Sequence, residues 1–558
     1  MTNFITSEWL MDKTGASSDG GMVVAKQEIA ALAGAQVLAE GGNAVDAAVT
    51  AAWVMNVMEP YNCSIAGAGY LVYRAASGES WVVDFSNRAP SRATPEALAS
   101  RTTVAFSGPL AAAVPATVAG LAQALERFGT ISLARSLEPA IEVAEEGMPL
   151  NWLLTLRLVQ ELPGIRANPT TAEIFLKNGD PGMAHGETLL RQTDLARTLR
   201  AIANDGAGTF YEGETAHKII TFVNGQGGLL DAADFAAFRP SVVAPLRSTF
   251  RDYTLLGVPL PSPGLTTIQC LRMLEHDDLA GMGHNSADAL HIMAETFRLA
   301  FADRDAYLGD PEFSDPPVET LLSDEYIASR RAEIDPLRAM ETVRPGNVGR
   351  VPVGAQGGGG GTTQICAVDA DGNMVSLTQT LIGGLTGLGV AGDTGVVMNC
   401  ALQWFDPRPG APNSVAPGKR PLSNMTPMIV ERDGKPVLAV GAPGSRRITN
   451  AVSQVTLNVL EHGMSVQPAI SAPRIDCSLG HVLADDRIDP NAIADLRERG
   501  HHVDVVHEFI NEGGPATGYR GHFSRPAAIH IDDDGVRHGG DYPFVEGMAV
   551  GIPKGDHT

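Results

Sequence analysis

The residues best placed to do chemistry are two threonines separated by one hairpin's length. Thr362 follows the run Gly357-Gly358-Gly359-Gly360-Gly361, and Thr380 closes a β-prone stretch downstream. Glycine loses the most backbone freedom on folding and has no side chain to pack, so the run cannot hold itself and something else must fix it. Ile365 to Val368 is a short apolar run, Asp371-Gly372 is a hairpin signal, and Val375 and Leu377 alternate with Ser376, Thr378 and Thr380. With Asp371 and Gly372 as the central turn residues, Ala370 pairs with Asn373 and Thr380 falls opposite Thr363, a neighbour of Thr362. Such a pair suits self-cleavage. Breaking the Gly361-Thr362 bond frees an α-amino group that can act as general base for the Thr362 hydroxyl, with Thr380 orienting it.

From Thr362 to Gly444 the sequence resembles the small subunit of the gamma-glutamyltranspeptidase family. The resemblance is carried by Thr362-Thr363, Val368-Asp369, Asp371-Gly372-Asn373, Val375-Ser376, Thr378, Thr380, Asn399, Lys419-Arg420-Pro421-Leu422-Ser423 and Gly441-Ala442-Pro443-Gly444. Upstream it is carried by Glu40 to Ala48, by Ala300-Phe301-Ala302-Asp303-Arg304 and by Tyr307-Leu308-Gly309-Asp310. It implies an N-terminal nucleophile hydrolase, with the four-layer αββα sandwich of that α/β superfamily. It further implies cleavage into a large piece, Met1 to Gly361, and a small piece, Thr362 to Thr558, that stay together as an obligate heterodimer. The turn Gly441 to Ser445 takes the family's oxyanion-binding position, which assigns that task to the amides of Gly444 and Ser445.

The resemblance also shows departures. The transpeptidase pocket holds the ammonium of a free amino acid with acidic and amide side chains, and its carboxylate with arginine and serine. Aligned without gaps from Thr380, those positions hold Ile382, Ala401 and Trp404; Ser423 survives and the second serine is Asn424. An ammonium without an anion there loses several kcal/mol of solvation, as an order of magnitude. The family's clamp arginine aligns with Ser86, and Arg88, two residues on, could face the same side if the strand continues. The expected substrate is a small-molecule amide whose acyl part lacks the glutamyl ammonium, such as a dicarboxylic monoamide or an apolar acyl amide. Cephalosporin acylases and oxamate amidohydrolases resemble the transpeptidases in this broad way. Three alternatives stand beside it: a true gamma-glutamyl hydrolase or transferase using Arg88 and Gln403, a carbon-carbon bond hydrolase, and an uncleaved binding protein. The last draws on Gln364, which stands where the transpeptidases usually have histidine.

The elements that must position these groups follow from periodicity. Gln27 to Glu40 has apolar residues at helical spacing and stops at Gly41-Gly42, and Asn43 caps a second helix through Val57. On this reading two helices precede any strand. Tyr70 to Tyr73 and Trp81 to Phe85 form a hairpin around Ala76-Ser77-Gly78. Val118 to Phe128, Leu133 to Gly147, Leu189 to Asn204, Asp288 to Asp305 and Arg447 to Leu460 read as helices, the charges of Asp288 to Asp305 being structural. Val343 to Gly361 reads as a mobile peptide ahead of the cleavage point. Val396 to Asn399 is expected as a strand, and Met428 to Val430 with Val437 to Val440 as a hairpin around Asp433-Gly434.

Composition limits the function. With 44% hydrophobic and 19% charged residues and a formal net charge of -23, the chain lacks the basic stripe that a nucleic-acid backbone needs. The first twenty residues include Glu8, Asp12 and Asp19 and no apolar run of signal length, so neither a membrane span nor a secretory signal is read there and a cytoplasmic location is expected. Five scattered cysteines fit reduced thiols better than a disulfide framework. His501, His502 and His507 have no ligand partners at metal-binding spacing, and no metal or organic cofactor is expected.

Overall fold

A computed structural model describes residues 12–98, 108–182, 189–348, 361–508 and 522–554. Most of the peptide read as mobile, 349–360, lies outside the described residues.

Two seven-stranded sheets lie face to face. One runs in the order Met548–Ile552, Gly21–Ala25, Thr362–Val368, Met374–Thr380, Ala68–Arg74, Ser80–Phe85, Ser241–Val243, with every pairing antiparallel. The other runs Ala16–Ser18, Arg537–Asp541, Ala527–Ile531, Lys435–Gly441, Met428–Arg432, Tyr253–Gly257, Leu246–Phe250, also antiparallel. Both sheets contain strands from before and after Gly361, so the two lengths of chain share one core. Helices Glu28–Ala39 and Ala44–Met58 pack on the outer face of the first sheet, and Gly264–Leu274 and Ile448–Leu460 on that of the second. The result is the expected αββα arrangement.

The central hairpin is buried on both faces, which explains its short apolar run and small polar residues. Cys366, Val368 and Met374 belong to an apolar layer between the sheets with Met22, Val24, Ile429, Ala439, Ala527 and Ile529. All five cysteines are buried free thiols. The first helix spans Glu28–Ala39, and Asn43 caps the next in a full capping box with Asp46.

Three expectations need correction. Ala16–Ser18 and Gly21–Ala25 are strands that precede the first helix; the second is buried throughout and so shows no alternation to betray it. Val396 to Asn399 forms no strand, only an isolated bridge from Val397 to Val390. The hairpin register is one residue off the expectation, with Thr362 directly opposite Thr380 and Thr363 opposite Gln379. The cause is the Asp369 side chain, which accepts from the amides of Asp371 (3.1 Å) and Asn373 (2.9 Å) and closes a three-residue loop with Gly372 at φ 91°.

Candidate active site

Thr362 and Thr380 face each other on the inner side of the hairpin, where the apolar layer gives way to polar groups. Period-two alternation puts Thr362, Gln364, Cys366 and Val368 on one face of their strand. Thr362 is 3% exposed and its Oγ1 donates to Thr380 Oγ1 at 3.2 Å. Thr380 Oγ1 in turn donates to the Gly361 carbonyl and accepts from the Ile382 amide at 3.2 Å. One hydroxyl therefore touches both the candidate nucleophile and the carbonyl of the peptide bond before it. A Cβ at 361 would overlap the Tyr61 carbonyl oxygen, which explains why glycine stands there. Ile382 holds φ 74°, a left-handed conformation that is costly for a β-branched residue.

Gln364 is built into the core. It accepts from Thr378 Oγ1 and donates to Ser376 Oγ (3.0 Å), and it leaves no room for a side chain at Gly441 of the facing sheet. Ser376 Oγ donates to the Val440 carbonyl at 2.9 Å. Val440 thus lies against Ser376 and Gly441 against Gln364, so the facing strand runs toward the Thr362 end of the hairpin and delivers the turn Ala442 to Ser445 there. Gly444 and Ser445 have φ 148° and 59°, and a Cβ at 444 would overlap Ser524. Among the described residues neither amide of this pair has an acceptor. The turn leads through Ser445–Arg447 into helix Ile448–Leu460.

Beside it, Ile382, Ala401, Trp404 and Met425 extend the apolar layer. Trp404 Nε1 is buried with no hydrogen-bond partner among the described residues. Trp404 and Asn424 line one cavity with Arg304, Asp305 and Asp406. Arg304 donates to Asn424 Oδ1 (2.8 Å), the Ser423 carbonyl (3.0 Å) and Asp305 (3.1 Å); burial, with Arg446 nearby, pushes its guanidinium down to about 10. Asp305 is held by Arg446 at 2.7 Å, and Asp406 by Arg408 at 3.2 Å.

The model of the gamma-glutamyltranspeptidase family matches residues 30–529. The chain belongs to the gamma-glutamyltranspeptidase family. Among curated relatives it is similar to the acylase ACY 1 proenzyme of Pseudomonas sp. (strain SE83), 36% identical over 89% of each chain. It is also similar to the glutathione hydrolase proenzyme of Escherichia coli (strain K12), 35% identical over 81% of this chain and 80% of that one. Among solved structures it is similar to the cephalosporin acylase from Bacillus halodurans, with a TM-score of 0.88 and 28% identity over the whole of both chains.

Against this gamma-glutamyltranspeptidase frame, the structure brings Thr362, Thr380, Ile382 and Trp404 together and sets the Gly444-Ser445 turn at the same end of the sheets. Arg88 is differently employed: the strand ends at Phe85, and its guanidinium makes a bidentate pair with Glu312 (3.1 Å twice) and donates to the Gly418 carbonyl. Ser86 donates to Asp84, whose other oxygen takes Arg420. Gln403 is half-buried, and its backbone amide donates to the Cys400 carbonyl at 3.0 Å. Ser423 Oγ accepts from the Met425 amide at 3.4 Å and so shapes the backbone. Arg304, read as a structural charge, holds the Ser423 carbonyl and the Asn424 side chain in place.

Proposed function

We propose that this chain is an autoprocessing threonine amidohydrolase, an acylase of the gamma-glutamyltranspeptidase family. The observation that carries the reading is the contact chain Thr362 Oγ1, Thr380 Oγ1, Gly361 carbonyl oxygen. In self-cleavage, Thr362 Oγ1 adds to the Gly361 carbonyl carbon while Thr380 hydrogen-bonds the developing oxyanion. The peptide C-N bond breaks as its nitrogen takes up the proton given up by the Thr362 hydroxyl and leaves as the Thr362 amine, and water hydrolyses the resulting ester. The two pieces then remain one body, since both contribute strands to each sheet. In turnover, the free amine takes the Thr362 hydroxyl proton, the oxygen attacks the substrate acyl carbon, and the amides of Gly444 and Ser445 stabilise the oxyanion. The amine returns the proton to the leaving nitrogen, and water releases the acyl group.

The pocket supports an acyl part without an α-ammonium. Ile382, Ala401 and Trp404 offer it no anion, and the carboxylates of the adjoining cavity, Asp305 and Asp406, are already paired with arginines. Stranding an ammonium there costs several kcal/mol as an order of magnitude, so glutathione is expected to be a poor substrate. Intact mass spectrometry of the purified protein tests the nucleophile: two masses dividing between Gly361 and Thr362, absent in Thr362→Ala, support it. A persistent single mass would leave a binding protein as the better reading, and faster turnover of a gamma-glutamyl anilide than of simple acyl anilides would restore a transpeptidase-like substrate.

A further inference from the structure

Arg88 is satisfied by Glu312, yet the site contains another arginine that is not. Arg525 precedes the strand Ala527–Ile531, and among the described residues its guanidinium has no hydrogen bond or ion pair. Its position follows from register. Gly441 pairs with Ala527, and the Arg525 amide donates to the Pro443 carbonyl at 2.9 Å, one step short of Gly444. Ser524, its neighbour, donates to the same carbonyl at 2.6 Å and packs on Gly444. Ala527 and Ile529 point into the layer between the sheets, so Arg525, two residues before Ala527, points into that same gap. Gly441 faces Gln364, and moving two residues along both strands brings Pro443 and Arg525 level with Thr362. Tyr61, whose carbonyl abuts Gly361, feels the Arg525 charge.

The other ionic groups around Arg525 make their hydrogen bonds with other residues, although Glu508 lies close enough to feel its charge. Lys26 is bonded to Asp541 and to the Pro526 carbonyl at 2.9 Å. Glu508 accepts from the Phe523 amide at 3.0 Å. An unpartnered guanidinium in a partly buried gap is a strong site for a carboxylate, which it can bind with two parallel hydrogen bonds.

We propose that Arg525 is the specificity-determining residue that binds the free carboxylate of the substrate's acyl part, which makes the substrate class the monoamides of dicarboxylic acids. This rests on the proposed amide hydrolysis at Thr362 for its catalytic meaning, though carboxylate binding itself does not. The test compares wild type, Arg525→Gln and Arg525→Lys, each shown by mass to be self-cleaved and thus folded. Their kcat/KM is measured on succinyl and glutaryl 4-nitroanilides and on glutaramoyl 4-nitroanilide, whose uncharged end has the same shape. Arg525→Gln is expected to lower the glutaryl to glutaramoyl ratio tenfold or more through KM, with part of it restored in Arg525→Lys. Calorimetric titration with glutarate adds a readout without chemistry, with Kd at least tenfold weaker in Arg525→Gln. Equal losses on both anilides, or equal glutarate affinity in wild type and variant, would overturn the inference while leaving Thr362 as nucleophile. Arg525-dependent glutarate binding in a protein that hydrolyses none of the anilides would instead count against the hydrolase reading and keep the carboxylate site.

Discussion

At one end of the central hairpin, Val368 and Met374 sit in a dry apolar layer with Ile429 and Ile529; at the other, on the same inner face, sit Thr362, Thr380 and Gln364. The backbone is the same ladder throughout, and both ends are buried. The difference lies in how each end meets the cost of burial. The dry end removes apolar surface from water, worth roughly 25 cal/mol per Å². The polar end gains little that way and must bond every hydroxyl and amide, since an unsatisfied buried group costs about 1–3 kcal/mol. It does so for Thr362, Thr380, Thr378 and Gln364; among the described residues the buried Trp404 Nε1 and the half-buried Arg525 guanidinium have no hydrogen-bond partner.

The sharpest way to break the comparison is Thr362→Ala. It removes a hydroxyl that supports nothing in the dry layer, so thermal stability is expected to hold while self-cleavage and hydrolysis are abolished. Residual cleavage at Gly361, read by mass, would move the nucleophile elsewhere. Next in size is Gly444→Ala. Its Cβ would overlap Ser524 and strain a φ of 148°, displacing the amides beside it, and the expected loss in kcat is about 10²–10³-fold, the range for removing an oxyanion donor. Because the turn lies beyond the end of its strand, self-cleavage through Thr380 is expected to persist, which a gel resolves.

The same contrast explains what the sequence disclosed. The dry end was legible: alternation in Met374 to Thr380, the turn glycine at 372 and the helix cap at Asn43 are local signals with local causes. The hairpin register was missed by one residue because Asp369 acts through its side chain and adds a residue to the loop. Val396 to Asn399 has strand composition, but Asn399 spends its side chain on the backbone of Ala66 and Ala113, which fixes a loop instead. The arginines were the least legible, because a guanidinium's partner is set by tertiary contact. Arg88 meets Glu312, 224 residues away, and Arg525 gains its meaning from Pro443 and Thr362. The family pattern pointed to Thr362, the proposed nucleophile; it did not point to Arg525, the proposed carboxylate-binding charge.

Thr380→Val sharpens the polar end further. Valine keeps the shape and removes the donor to the Gly361 carbonyl, so self-cleavage is expected to slow about 10²-fold, followed as the disappearance of full-length mass. An unchanged rate would mean that the Gly361 carbonyl is polarised by another group.

The smallest effect tests the cost of burial itself. Glu508 is 4% exposed, and burial pushes its carboxyl from 4.5 up to about 7. An acid whose folded pKa exceeds its unfolded one binds more protons when folded, so its stabilising contribution is complete below pH 4.5 and is lost as pH rises through about 7. Glu508→Gln removes that titration. The melting temperature of the variant relative to wild type is therefore expected to rise between pH 4.5 and pH 8, by an amount worth at most about 3 kcal/mol. In Val368→Ala, at the dry end, the loss of about 1–3 kcal/mol is expected to be the same at every pH, because no proton is linked to it. Parallel pH profiles for the two variants would mean that the acid stays ionised beside Arg525, and that the polar end pairs its charges more fully than the contacts of Arg525 imply.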